Sequence, residues 1–323
     1  FRSPHLVARE RGLRLVLTLS TNIHDGRLDG SLAKLPGDLS RILALGLGGV
    51  EIGVHGTDAI RCGRLDRRRT SEFASILRDH PLALSVHSPD TLDLMARRDG
   101  ALHLEVFRSC LEFCELAGAR VLVVHPGRWV PETDFGVVEP WCPGPDEALE
   151  ALEAEAENIR RIAAEFPNVV VALENARTYL PYSPYTYAEF PDRLAEQVDR
   201  IGLPNVGICL DTGHLHMSSR LHGFPESEGA ARLAGRLAHL HVHDNFGRTG
   251  YWTEKTQTHQ IPLGRGDLHM PPGLGDIDYA LVLGPLLAGF DGIAVCELRG
   301  RYLDGLGGHI AAFKAMMERI GGG

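Results

Sequence analysis

Eight short apolar runs, four to seven residues each, alternate with stretches of helical periodicity along 323 residues. The runs lie at 13–19, 48–52, 81–86, 120–124, 169–173, 207–210, 237–242 and 292–296. Short unbroken apolar runs suit strands buried on both faces, which is the condition of a parallel sheet. Between them the periodicity predicts helices near 31–45, 70–78, 101–116, 146–161, 191–201, 226–236, 277–288 and 308–320. Asp146 is the expected N-cap, with acidic residues in the turns after it and Arg160-Arg161 near the end, as the helix dipole favours.

Eight strand–helix units in one chain predict a (β/α)8 TIM barrel with enlarged loops. No linker divides the sequence, so one domain is expected over 1–323, with the barrel at about 13–317 and a frayed tail at 321–323. A doubly wound open sheet ranks lower, because no glycine-rich phosphate fingerprint follows the first strand. In a TIM barrel the active site sits at the C-terminal strand ends, so those positions decide the function.

Six of the eight runs end in a residue able to bind a metal: His87, His125, Glu174, Asp211, His241 and Glu297. His214 follows Asp211 at three residues, and the long loop after the seventh strand carries Asp267-Leu268-His269. Unpaired carboxylates and imidazoles are costly to bury, by several kcal/mol, and a divalent ion such as Zn or Mn would satisfy them. A lone strand-end histidine is usually a hydrogen-bonded core residue; a converging set is not. His239 and His243 share the period-two face of His241 and are the open alternatives on that strand.

Net charge is −9 and no basic stripe interleaved with aromatics is visible, which disfavours a general nucleic-acid binder. The six cysteines form no CxxC pair, and Cys209 and Cys296 lie inside apolar runs, which favours a reducing, cytoplasmic compartment. No apolar run nears 18 residues, and Phe1-Arg2-Ser3-Pro4 opens no signal-peptide apolar region, so no membrane association is expected. The loops after strands four, five and seven hold Trp129, Trp141, Tyr179, Tyr182, Tyr185, Tyr187 and Trp252, suited to covering the C–H faces of a sugar. Arg128, Arg248 and Arg299 lie just past strand ends, where a guanidinium could hold an anion bidentately. His216, His222, His259 and His309 read as loop or surface residues.

The segments Val86-His87-Ser88-Pro89, Val124-His125-Pro126-Gly127, Leu173-Glu174-Asn175, Leu210-Asp211-Thr212-Gly213-His214, His241-Val242-His243-Asp244, Asp267-Leu268-His269 with Gly273-Leu274-Gly275, and Val295-Cys296-Glu297 resemble the xylose-isomerase-like TIM barrels. That superfamily includes sugar isomerases and epimerases and the endonuclease IV branch. The endonuclease IV resemblance implies three zinc sites: His87, His125 and Glu174; Glu174, Asp211, His241 and Glu297; and His214, Asp267 and His269. The isomerase resemblance implies a metal on the quartet Glu174, Asp211, His241 and Glu297 alone. There Glu174 and Glu297 act as catalytic acid and base, and His214 contacts substrate, with Arg299, Arg128 and Trp129 as further substrate-binding candidates. His-Val-His-Asp in that frame points to His241 as the ligand and leaves His239 in the core or behind the ligands.

The expected function is therefore a divalent-metal-dependent isomerase or epimerase of a small sugar, sugar phosphate or sugar acid, holding one to three ions of Zn or Mn. The alternative is a multi-zinc phosphodiesterase of the endonuclease IV type, or another metal-dependent hydrolase or lyase on a carbohydrate. A non-enzymatic binding barrel is the third class, and the glutamate pair argues against it. The partner is a small carbohydrate, and the superfamily's habits imply a homo-oligomer by analogy.

Overall fold

The computed structural model describes residues 17–251 and 258–322. The expected strand residues 13–16, Trp252 and Gly323 lie outside them. Eight parallel strands close into a barrel: β1 (Thr18–Ile23), β2 (Gly49–Gly53), β3 (Ala83–His87), β4 (Val121–Val124), β5 (Val170–Glu174), β6 (Val206–Asp211), β7 (Leu237–Val242) and β8 (Ile293–Cys296). Each pairs with its chain neighbours, and β1 closes the ring on β8 with Thr18 opposite Ile293. Among the described residues the first strand runs on past its apolar run to Ile23, where Thr21 Oγ1 donates to Cys296 O and Asn22 bonds the backbone of Leu298, two residues past β8.

Nine helices surround the barrel among the described residues: α1 (Leu35–Ala44), α2 (Arg67–Arg78), α3 (Gly100–Ala117), α4 (Pro145–Ala163), α5 (Pro191–Ile201), α6 (Thr212–His222), α7 (Glu226–Leu233), α8 (Tyr279–Leu287) and α9 (Leu306–Gly321). Between β2 and α2 a small hairpin pairs Ile60–Arg61 with Arg64–Leu65. Two expectations are corrected. Helix α4 is capped by Gly144 with Pro145 in its first turn, so Asp146 lies inside the helix, where its charge favours the N-terminal dipole. Helix α6 was not expected at all. Its residues Thr212 to Ser219 are buried on every side, so no amphipathic period marks it.

The main core fills the layer between strands and helices, with Leu39, Phe73, Phe107, Ile159, Leu194 and Phe313 fully or nearly fully buried in it. The barrel interior is divided. Val121, Val123, Ala172 and Cys209 form a small apolar plug on one side. Glu51, Ser85 and His239 are buried as a polar group on the other. The register slips between β6 and β7: Ile208 faces Leu237 but Cys209 faces His239. That bulge on β7 brings His241 opposite Asp211. The six cysteines are unpaired, with Cys209 and Cys296 buried in strands. No helix among the described residues is long and apolar enough to cross a membrane.

Candidate metal centre and active site

Every expected ligand sits at the C-terminal end of the barrel, and the nine converge. Glu174 is the hub. Its Oε1 lies 2.9 Å from His241 Nδ1, and its Oε2 lies 3.0 Å from His125 Nε2 and 3.4 Å from His87 Nε2. At the same His241 Nδ1, Glu297 Oε2 is 3.1 Å and Asp211 Oδ2 is 3.9 Å away. In the third group, Asp267 Oδ2 lies 2.8 Å from His269 Nε2 and 3.3 Å from His214 Nε2. In each of the three groups the candidate ligand atoms fall within 4.8 Å of one another.

Local structure aims these side chains. Asn175, one residue past β5, clamps the end of β6: Asp211 N–H donates to Oδ1 (2.7 Å) and Nδ2 donates to Asp211 O (3.0 Å). Asp211 also caps α6, its Oδ1 accepting from His214 N–H at 2.7 Å. The opening turn of α6 therefore fixes His214 over the strand ends. His214 Nδ1 lies 2.8 Å from Asn175 O, and His87 Nδ1 lies 2.7 Å from Ser88 O. Each Nδ1–H is thereby spent on a carbonyl, which leaves Nε2 as the free donor of electrons to a cation. The long loop after β7 is pinned by Asp244, whose backbone exchanges hydrogen bonds with Met270 and whose carboxylate accepts from Gly273 and Ile277. Gly275 is required there, since a Cβ would fall 2.3 Å from Asn245 O. Next to this anchor His269 adopts φ 43°, a left-handed backbone that a β-carbon resists and that clusters at functional sites.

Charge is concentrated. Burial raises the Glu174 carboxyl, but His241, His125 and His87 outweigh it and hold Glu174 well below the usual range. Glu297 is likewise opposed by burial yet held at about 2 by His241 and His269. His214 is pushed up to about 10 against its burial by Asp211 and Asp267. Of the two imidazoles on Glu174 Oε2, His87 rises to about 10 on that carboxylate despite burial, whereas burial prevails at His125 and lowers it. So many buried carboxylates facing imidazoles need positive charge from protons or from cations. The donor set of hard carboxylates and borderline imidazoles fits Zn or Mn. Asp267 Oδ1 and His243 Nδ1 are buried without a hydrogen-bond partner, as ligand positions of such a cluster would be.

Three residues complete the cluster that strand ends alone did not reveal. His243 Nε2 lies 2.9 Å from Asp211 Oδ2, and its ring stacks on His269 at 3.9 Å, which groups it with His214, Asp267 and His269. Gly213 makes room for it, since a Cβ there would meet the ring at 2.1 Å. Glu51, in the middle of β2, touches His239 and His241; its signal was a charged residue inside an apolar run. Arg177 spans Glu132 (3.2 Å), Asp267 (3.6 Å) and Asp90 (3.9 Å).

A cavity of about 600 Å³ opens over Glu297, Asp267, His269 and His87, walled by Phe135, Tyr179 and Tyr251 and by Arg128, Arg177 and Arg299. Trp129 does not reach it: the ring packs on the core beside Tyr187, 6.2 Å away, so its expected substrate role is corrected. Tyr187 too is buried, its hydroxyl donating to Glu155, and is no lid. Arg128 reaches His125 Nδ1 (3.1 Å) and Asp90 O (2.6 Å), and Arg299 donates to Asp267 O (2.6 Å). Arg248 instead donates to Leu263 O from an exposed loop. His216, expected at the surface, is buried in α6 against Glu226.

The profile of the xylose isomerase-like TIM barrels matches residues 39–319. No curated protein sequence matches the chain. Among solved structures, a D-tagatose 3-epimerase-like protein is 20% identical with a TM-score of 0.65, covering 94% of this chain and 97% of its own. D-psicose 3-epimerase, solved in the presence of D-fructose, is 12% identical with a TM-score of 0.66, at 95% and 100% coverage. The 3-keto-D-glucoside 4-epimerase of E. coli is 15% identical with a TM-score of 0.65, at 93% and 99% coverage. The family match spans most of the sequence and the barrel is the one those structures share; the chain belongs to the xylose isomerase-like TIM barrel family.

Proposed function

We propose that this protein is a divalent-metal-dependent epimerase or isomerase of a ketose or keto-sugar, with Glu174, Asp211, His241 and Glu297 holding the ion. The observation that carries this reading is the pair of carboxylates on one imidazole nitrogen, Glu174 at 2.9 Å and Glu297 at 3.1 Å from His241 Nδ1, with Glu297 lining an open cavity. The ion would supply Lewis-acid polarisation of a carbonyl and its neighbouring hydroxyl, which acidifies the C–H between them. The chain's own residues do the rest. One glutamate takes the proton from that carbon, and the bonding pair passes into the enediolate. The other, protonated, returns a proton to the opposite face, so inversion exchanges one proton with solvent. Turnover therefore requires one proton on the two carboxyl groups, taken up against the histidines that hold both below the usual carboxylate range. Phe135, Tyr179 and Tyr251 offer aromatic faces to the C–H side of the sugar, and Arg177 its N–H groups to hydroxyls.

The rim supports a sugar over a polyanion. Asp25, Asp90 and Glu132 line it, and Arg128 and Arg177 already face carboxylates. A duplex phosphate backbone would meet those acids. The similarity to three sugar epimerase structures points the same way. One observation favours the phosphodiesterase reading: all three candidate ligand groups are assembled, where an isomerase needs only the quartet.

The test is deuterium wash-in. Mn-loaded protein in D2O with D-fructose, D-tagatose and a 3-keto-glucoside is followed by NMR for label at the carbon beside the carbonyl. Exchange is expected, and Glu174→Gln or Glu297→Gln is expected to lower it at least 10³-fold without loss of folding. Full exchange in either variant would remove the role given to that residue. Cleavage of abasic-site DNA with no exchange on any sugar would replace the reading by the second one.

A further inference from the structure

Glu51 lies at the bottom of the site and belongs to no ligand group of the family reading. It is 2% exposed and reaches across the barrel interior from β2 to β7, 188 residues away. Its Oε2 accepts from Ser85 Oγ at 2.8 Å and lies 2.9 Å from His239 Nε2. Its Oε1 lies 2.9 Å from His241 Nε2, a buried nitrogen that hydrogen-bonds to no other group. His239 Nδ1 is buried without a hydrogen-bond partner. A stranded lone pair there costs less than a stranded N–H, so the one proton of neutral His239 is on Nε2 and faces Glu51. Ser85 supplies its own proton. Two donors thus share Oε2, and Oε1 is left to His241 alone.

The imidazole of His241 therefore spans two carboxylate environments. Nε2 faces Glu51, while Nδ1 faces Glu174 and Glu297. A neutral imidazole carries one proton, and the nitrogen without it is the one that can bind a cation.

We propose that Glu51 is a positioning residue: it keeps the His241 proton on Nε2 and so presents Nδ1, with its lone pair, to the cation between Glu174, Asp211 and Glu297. This rests on the reading of that quartet as the metal site. It also assigns the group Glu51, His239 and His241 to hydrogen bonding and not to an ion of its own. Glu51→Gln preserves volume and separates these roles. The amide oxygen is held by the two donors, Ser85 and His239, so the NH2 turns to His241. That NH2 donates to Nε2 and drives the proton to Nδ1, blocking the ligand lone pair.

The experiment is Co2+ titration of the full chain, read by the visible absorption of the bound ion and by competition with a chelator. Glu51→Gln is expected to weaken the tightest ion 10- to 100-fold, the usual loss when a carboxylate behind a ligating histidine is removed, at unchanged stoichiometry. Glu51→Asp, which restores the charge, is expected to recover part of the affinity. Unchanged affinity in Glu51→Gln overturns the proposal, and so does loss of one whole ion per chain, which would make Glu51 a ligand. Wild-type protein that binds no Co2+ overturns both the proposal and the metal reading beneath it. A second measurement needs no variant of Glu51. Imidazole 15N–1H spectra of the Zn-loaded wild type, with His241 assigned by His241→Gln, are expected to show its proton on Nε2; a proton on Nδ1 overturns the proposal.

Discussion

Arg177 joins the rim of the cavity to the centre beneath it. Its guanidinium is 12% exposed and faces Glu132, Asp267 and Asp90, and those neighbours hold it protonated against the cost of burial. A buried cation that answers several carboxylates cannot be deleted cheaply, because the acids stay behind. Arg177→Ala is expected to destabilise the fold by about 3 kcal/mol. It is also expected to lower kcat/KM on the keto-sugar at least 10²-fold, mostly through KM. Arg177→Lys is not expected to rescue, since a point ammonium cannot span acids that a planar fork reaches at once. Thermal unfolding and steady-state kinetics on the two variants check this; full activity in Arg177→Ala would place the guanidinium outside the substrate's reach. Arg177 lies three residues past a strand end, as Arg299 does, and only the fold shows that its guanidinium meets Glu132, Asp267 and Asp90. Trp129 shows the converse: its place after a strand end was legible, but the direction of its ring was not.

At the scale of elements, helix α4 acts on the site through one buried carboxyl. Glu155 accepts from Gly127 N–H (2.6 Å), Tyr187 Oη–H (2.8 Å) and Gln197 Nε2 (2.8 Å), so it ties the loop after β4 to the loop after β5 and to α5. Burial raises its carboxyl to about 7, more than these hydrogen bonds lower it, and Asp93 adds to the rise. The unfolded carboxyl ionises near 4.5. Folding therefore favours the protonated form: the stabilisation is whole below about pH 4.5 and is lost as pH rises to about 7, by on the order of 3 kcal/mol. Glu155→Gln cannot ionise, so its stability relative to wild type is expected to rise by that amount between pH 5 and pH 8. Denaturant melts of both proteins at several pH values decide it, and parallel curves would exclude Glu155 as the source. Elements of this kind were unevenly legible. Strand β7 and helix α5 fall where the pattern put them, since β7 is a bounded, mostly apolar run and α5 opens on a proline and ends before Gly202 in a left-handed turn. Helix α6 escaped, because a helix buried on all sides has no polar face to betray its period. Glu51 escaped for a related reason: its partners lie across the barrel, and nothing local says which way a strand's interior residue reaches.

For the whole molecule, the site and the barrel share their stability. His87, Glu174, Asp211 and His241 sit on four different strands, and His125 and Glu297 directly follow two more. An ion held by the quartet would cross-link the ends of β5, β6, β7 and the segment after β8, and so would bind the folded chain and not the unfolded one. At a free ion concentration 100 times Kd, such binding stabilises by about 2.7 kcal/mol. For a chain of this size that is a rise in Tm of roughly 5 °C. Protons compete for the same lone pairs: His214 and His87 hold theirs up to about 10, so seating an ion on either releases a proton. The stabilisation by metal is therefore expected to grow from pH 6 to pH 8.5. Thermal melts with EDTA, Mn2+ and Zn2+ at each pH measure it, with elemental analysis giving the ions per chain. One ion and a modest rise match the quartet acting alone in an isomerase. Two or three zinc ions, with a rise that steepens with pH, mean that the histidine groups fill as well, and phosphodiesters then become the first substrates to assay. A Tm indifferent to EDTA and to both metals across this range would leave the buried carboxylates balanced by histidine protons alone, and the metal-dependent reading would fall with it.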